Sequence, residues 1–278
     1  MSPIGIFDSG LGGLTVAGCV LRSLPNERII YFADNAHVPY GERPLEEIRE
    51  FALAITGFLV GQGAKAVVMA CNMSSAVALG PAREMYAGLP ILGVIDPGAR
   101  AAVAVAGGNP IGVLATTGTV NSAAYVSAIA LLDPYAKVYQ QACPRFVPLV
   151  EEGKAQSEEA EAAARTYVRP LVAHGCATII LGCTHYPFLR GVIERAAGPD
   201  VTIVDPAEET VRSLKNTLVE RALASESLEG AHAFYASGDT AGFAALGGAF
   251  LGRHIDAIQR VTWGADIHCP ARGAAVQN

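Results

Sequence analysis

The sequence predicts an α/β protein made of two similar lobes, each with a mostly parallel sheet covered by helices. Three observations carry that expectation. Short apolar, β-branched runs alternate with alanine-rich helical stretches along all 278 residues. Two strand-turn signatures occur twice in the same order. The length, with 51% hydrophobic residues, is ample for one large α/β domain or two smaller lobes.

Taken in order, the candidate strands are 4–7 (IGIF), 28–33 (RIIYFA), 66–70 (AVVMA), 90–95 (PILGVI), 111–115 (IGVLA), 177–182 (ATIILG) and 201–204 (VTIV). Runs with no polar alternation suit strands buried on both faces, as in parallel sheets. Residues 155–175 read as one amphipathic helix closed by Gly175 rather than as a linker. No low-complexity segment interrupts the chain.

The repeat pairs Ile4-Gly5-Ile6-Phe7-Asp8-Ser9-Gly10 with Ile111-Gly112-Val113-Leu114-Ala115-Thr116-Thr117-Gly118, so that Ser9 answers to Thr116. It also pairs Val67-Val68-Met69-Ala70-Cys71-Asn72 with Ile179-Ile180-Leu181-Gly182-Cys183-Thr184. The offsets, 107 from Ile4 to Ile111 and 112 from Cys71 to Cys183, differ by a short loop. Two lobes related by a pseudo-twofold are expected, with the active site in the cleft where the carboxyl ends of their strands meet.

Composition removes several classes of function. A formal charge of −6 without a dense Lys/Arg block argues against nucleic acid and against an anionic membrane surface. A small molecule is the expected ligand. No run approaches the roughly 18 apolar residues of a membrane span, and MSPIGIFDSG has neither the basic nor the apolar region of a signal peptide, so a cytoplasmic location is expected. The cysteines Cys19, Cys71, Cys143, Cys176, Cys183 and Cys269 are too sparse for a disulfide scaffold and read as thiols.

Cys71 and Cys183 each follow a buried-strand pattern and precede polar, turn-forming residues. A thiol there lies at a sheet edge near the positive end of the next helix, a setting that lowers a cysteine pKa from its free value of about 8.5. Cys19 and Cys176 fall in helical stretches and read as inert core thiols. His174, Cys176, Cys183 and His185 cluster in sequence, but spacing argues against a shared metal, since seven strand steps of about 3.3 Å put Cys176 and Cys183 roughly 23 Å apart. The turn Asp8-Ser9-Gly10-Leu11-Gly12-Gly13 opens a helix and can hold an anion such as a carboxylate. It is no dinucleotide fingerprint, because the last glycine of GxGxxG would fall on Thr15. Tyr40 offers a hydroxyl and Gly41 a backbone N–H in the Pro39-Tyr40-Gly41 loop, and His185 lies two residues beyond Cys183. Lys65, Lys137, Lys154 and Lys215 lie on helical or surface-like stretches, so no Schiff base, and no cofactor, is implied.

With these residues assembled, the chain resembles the glutamate racemases of the cofactor-independent aspartate/glutamate racemase superfamily. The resemblance rests on IGIFDSGLGGLTV (4–16), YFAD with VPYG (31–41), ACN (70–72), IGVLATTGTVNSAAY (111–125), ACPRFVPLVEEG (142–153) and LGCTHYP (181–187). It implies that Cys71 and Cys183 are the two catalytic cysteines, assisted in proton transfer by Asp8 and His185. It also implies that Ser9, Pro39, Tyr40, Gly41, Asn72, Thr116, Thr119 and Thr184, with Asp8, hold the substrate's ammonium and carboxylate. A first lobe of 1–96 completed by 207–278, a second lobe of 97–206, and a homodimer supplying D-glutamate for peptidoglycan are further implications.

The sequence departs from that pattern at Met73, where the family generally has threonine after Cys-Asn. Loss of a hydrogen bond to a charged carboxylate weakens binding by about tenfold to a hundredfold. Either Ser74 supplies the hydroxyl, or the substrate is aspartate or another amino acid. A non-catalytic amino-acid-binding protein is the third reading, and the retention of both cysteines speaks against it.

Overall fold

The computed structural model describes residues 2–252, 254–255 and 257–269. In chain order the first elements are β1 (Ile4–Asp8), α1 (Leu14–Ser23), β2 (Ile29–Ala33), α2 (Leu45–Gly61), β3 (Ala66–Met69), α3 (Asn72–Met85) and β4 (Ile91–Gly93). Then come α4 (Ile95–Ala106), β5 (Ile111–Ala115), α5 (Thr117–Asn121), α6 (Ala124–Leu132), β6 (Val138–Ala142), α7 (Phe146–Glu151), α8 (Glu158–Ala173), β7 (Thr178–Gly182), α9 (Arg190–Ala197) and β8 (Thr202–Val204). The chain continues through α10 (Pro206–Glu220), β9 (Ala233–Ala236), α11 (Thr240–Leu251) and β10 (Ile258–Arg260).

The chain divides into two compact units, one reaching Gly93 and resuming at Thr210, the other running from Val94 to Glu209. Every strand pairing in both is parallel. The first sheet has the order β10-β9-β2-β1-β3-β4 and the second β6-β5-β7-β8. Four strands of the first, β2-β1-β3-β4, therefore repeat the order of the whole second sheet, which is the repeat read in the sequence.

Helices cover both faces of such sheets, so β1, β2, β3, β5 and β7 are buried along their whole length. The run 90–95 is strand only as far as Gly93, and Ile95 already begins α4. Three strands lacked a sequence signal. β6 contains Gln140 and Gln141 and is half-buried throughout at a sheet edge. β9 and β10 are four and three residues long.

The expected helix over 155–175 is Glu158–Ala173. Ser157 Oγ accepts the Ala160 N–H at its start, Glu158, Glu159 and Glu161 favour its positive end, and Gly175 leaves it at φ +77°. Cys176 thus lies beyond the helix, not within it. Burial pushes its thiol up to about 11.

Lys65 is no surface lysine. Its ammonium lies 2.7 Å from Glu27 Oε2 and donates to Leu223 O and Ser225 Oγ, with the lysine and glutamate side chains 9% and 4% exposed. Ser225 N donates to the other Glu27 oxygen, so the buried pair is hydrogen-bonded on both sides. Among the described residues no helix is long and apolar enough to cross a membrane.

Candidate active site

In the first unit the carboxyl ends of β2, β1 and β3 place Asp34, Asp8-Ser9 and Cys71 along one edge of the sheet. Phe7 pairs with Met69 and Asp8 with Ala33, so the next positions in step bring Ser9 beside Cys71 and Asp34 beside Ser9. The ladder continues past the strands, with Asp34 N donating to Asp8 O and Ala70 N to Phe7 O, each at 2.9 Å.

Asp8 is fully buried and its Oδ2 accepts the Gly10 N–H at 3.0 Å. The glycine turn expected to hold a ligand anion thus gives this N–H to the chain's own carboxylate. Gly13 stands where α1 begins, and a Cβ there would lie 2.4 Å from Asp8 Cβ and 2.7 Å from the Tyr31 hydroxyl. Only a residue without a side chain lets the helix approach that closely.

Cys71 occupies the N-cap position of α3 and is 6% exposed. Asn72 is the first helical residue and is buried, while Ser75 turns its hydroxyl back to Met69 O. Cys71 packs in one apolar cluster with Tyr40, Ile48, Phe51 and Met73. Ser74 is completely buried and its Oγ has no hydrogen-bond partner.

The Tyr40 hydroxyl, which the sequence offers as a donor in this loop, donates to Asp34 Oδ2. Burial foremost, then Asp34, Cys71 and Asp8, push the phenol well above its ordinary pKa, so it stays a neutral donor. Pro39 is exposed and Gly41 half-buried, on the two sides of Tyr40. Arg43 Nε donates to His37 O across the base of the loop.

In the second unit the same edge is built from β5 and β7. Ala115 pairs with Gly182, so Thr116 and Cys183 follow in step, matching Ser9 and Cys71 of the first unit. Thr116 caps α5 by accepting the Thr119 N–H, and the two threonine hydroxyls lie 3.1 Å apart. Thr119 is fully buried, and Thr184 is 7% exposed.

Cys183 Sγ is 3.8 Å from His185 Nδ1, and His185 Nε2 is 2.6 Å from Glu151 Oε1. Glu151, at the end of α7, was not among the residues expected from the sequence. Its local signal is weak, since Glu152 follows directly and His185 lies 34 positions away. With Nε2–H directed at the carboxylate, Nδ1 is the acceptor that faces the thiol. Once protonated, the ring donates to a thiolate and is balanced by Glu151 on its other side. Two buried phenols, Tyr125 and Tyr186, are pushed up mainly by desolvation and remain neutral beside Cys183. Cys143 is likewise pushed up by burial and stays a thiol. Among the described residues no group of three or more His, Cys, Asp or Glu is placed to hold a metal ion.

Comparison with known proteins identifies the family. The family described as Asp/Glu/Hydantoin racemase matches residues 15–214. A glutamate racemase of Desulforudis audaxviator is 44% identical over 266 residues, which cover 93% of this chain and 97% of that protein. The crystal structure of a Bacillus anthracis glutamate racemase superposes with a TM-score of 0.90 at 39% identity, covering 94% of this chain and 97% of the other. That of the Francisella tularensis glutamate racemase in complex with D-glutamate gives 0.88 at 34% identity and the same coverage. An aspartate racemase homologue from Pyrococcus horikoshii, 19% identical with a TM-score of 0.56, shares the fold alone. The chain belongs to the Asp/Glu/Hydantoin racemase family, among its glutamate racemases.

Proposed function

We propose that the protein interconverts L- and D-glutamate without a cofactor, with Cys71 and Cys183 as the two proton carriers. The observation that carries this reading is the matched station of the two thiols. Each follows a central strand, β3 or β7, in sheets of the same strand order, and each stands in step with a hydroxyl, Ser9 or Thr116.

Racemisation removes a hydrogen from one face of Cα and returns one to the other, so one group per face avoids moving a single base around the substrate. One cysteine acts as thiolate and the other as thiol, and the roles exchange with substrate handedness. The Cα proton is weakly acidic, so the developing carbanion needs hydrogen bonds to the α-carboxylate and a protonated ammonium. Asp8 is suited to the ammonium, and Ser9, Asn72, Thr116, Thr119 and Thr184 to the carboxylates, with Pro39, Tyr40 and Gly41 shaping the turn beside Cys71. His185, backed by Glu151, returns the Cys183 proton after each transfer.

The reading includes a homodimer in the cytoplasm that supplies D-glutamate for peptidoglycan. Circular dichroism of the purified protein with L- and D-glutamate, and then with L- and D-aspartate, tests it. Loss of optical rotation from both glutamate enantiomers is expected. Racemisation of aspartate alone, or of neither amino acid, would overturn the substrate assignment.

A further inference from the structure

Four donors from three parts of the first unit converge on one buried carboxylate. Asp34 Oδ2 accepts from the Tyr40 hydroxyl at 2.5 Å and from His37 Nδ1 at 2.9 Å, and Nδ1 also lies 3.1 Å from Oδ1. Asp34 Oδ1 accepts from Ser237 Oγ at 2.7 Å and from Trp263 Nε1 at 2.8 Å. Asp34 itself has no solvent exposure. A carboxylate has about four lone-pair directions, and all are in use.

The two oxygens have different duties. Oδ1 faces the C-terminal part of the unit. Ser237 stands one step past β9, in line with Asp34 one step past β2, and its N–H donates to Ala33 O. Trp263 adds an indole N–H, which can only donate. Oδ2 faces the loop that carries Tyr40 and His37, and the His37 ring stacks on Phe51 at 4.1 Å. Tyr40 in turn packs in the cluster that contains Cys71 and Met73.

We propose that Asp34 is a positioning residue for the reaction, holding the Pro39-Tyr40-Gly41 turn beside Cys71 through the Tyr40 hydroxyl, with Ser237 and Trp263 fixing the carboxylate's own orientation. The inference rests on the racemase reading above and assigns a role that neither proton transfer nor direct substrate contact requires. A saturated carboxylate fixes directions more narrowly than apolar packing does, because any rotation leaves a buried donor unpaired.

A double-mutant cycle tests it. In Asp34→Asn one acceptor oxygen becomes an N–H₂ donor of nearly the same volume. Either Tyr40 reverses from donor to acceptor, or the amide N–H₂ meets the Trp263 N–H. Glutamate kcat/KM is measured for the wild type, Asp34→Asn, Tyr40→Phe and the double variant, with far-ultraviolet circular dichroism as the fold check. Each single change is expected to lower kcat/KM by about tenfold, and the double variant to fall no further than the worse single one. Multiplicative losses, or an unchanged kcat/KM in Asp34→Asn, overturn the inference. A wild type inactive on glutamate overturns the racemase reading instead, and the inference with it. Should Asp34→Asn fail to fold, Ser237→Ala combined with Trp263→Phe removes both donors on Oδ1 and leaves Asp34 in place. That pair is expected to lower kcat/KM by roughly threefold with Tyr40 present and not at all in Tyr40→Phe. Equal losses in the two backgrounds overturn it.

Discussion

His185 and Glu151 are joined by a contact of 2.6 Å between Nε2 and Oε1, at the far end of an imidazole whose Nδ1 faces Cys183. The carboxylate selects the tautomer that presents a basic nitrogen to the thiol, and it balances the ring when that nitrogen takes a proton. In Glu151→Gln the neutral amide loses the second effect. Because Glu151 is 31% exposed, its replacement leaves the core untouched. A fall in kcat of about tenfold to a hundredfold, with an unchanged melting temperature, is expected from steady-state kinetics and thermal melts. Full activity in Glu151→Gln would remove the carboxylate from the proton path.

Cys71→Ala and Cys183→Ala should each abolish racemisation while the fold survives, since each removes one proton carrier and only a sulfur's worth of buried volume. Cys19→Ala and Cys176→Ala should alter stability at most. Cys176 illustrates why: it is 2% exposed and its thiol, pushed up to about 11 by burial, is no thiolate near neutral pH. Substantial racemisation by either of the first two variants would end the two-thiol assignment.

The sequence was most legible where one physical cause acts alone. β1, β3, β5 and β7 are covered on both faces, so their apolar runs are unbroken and their ends, with Cys71 and Cys183, could be read directly. Edge strand β6 is half-solvated and tolerates Gln140 and Gln141, which erased its signal. Glu151 and Asp34 stayed hidden for a different reason. The partner of Glu151 lies 34 positions away at His185, and two of the four donors on Asp34, Ser237 and Trp263, lie 203 and 229 positions away, so only the folded chain completes either group. Asp34 did leave a trace, an acid directly after an apolar strand, as Asp8 is an acid closing β1.

Gly13 and Gly61 separate close approach from helix propensity. At Gly13 a methyl group would meet Asp8 and the Tyr31 hydroxyl, so Gly13→Ala should displace α1 or the carboxylate, lowering both kcat/KM and melting temperature. At Gly61, the last residue of α2, a Cβ meets nothing within 4 Å. Gly61→Ala should stabilise the protein by about 0.5 kcal/mol and leave activity unchanged. Paired thermal melts and rate assays check both, and an active, stable Gly13→Ala would refute the packing argument.

Met73 is 2% exposed and packed with Tyr40, Ile48, Phe51 and Cys71. Met73→Thr removes buried volume, at a cost of about 2–4 kcal/mol, and places a hydroxyl donor in the cluster that holds Cys71. Ser74 Oγ, next in the chain, is buried and makes no hydrogen bond within the fold. A KM for glutamate lowered by about tenfold, together with a lower melting temperature, is expected. An unchanged or raised KM would mean that Ser74 already serves, or that glutamate is not the ligand.

In heavy water, the first product molecules should carry deuterium at Cα while recovered substrate carries little. The thiolate that takes the substrate hydrogen holds it on one face of the carbanion. The other thiol, already exchanged with solvent, delivers deuterium to the opposite face, and collapse in that direction gives labelled product. Return to substrate draws instead on the first cysteine, which still holds the original hydrogen. A single base serving both faces would hand that same hydrogen to either one, giving unlabelled product at early conversion. Proton NMR of the two glutamate enantiomers, separated at a few per cent conversion and measured from each direction, distinguishes the cases. Early product that kept its original hydrogen would require one mobile base, and the division of labour between Cys71 and Cys183 would then fail even with glutamate as the substrate.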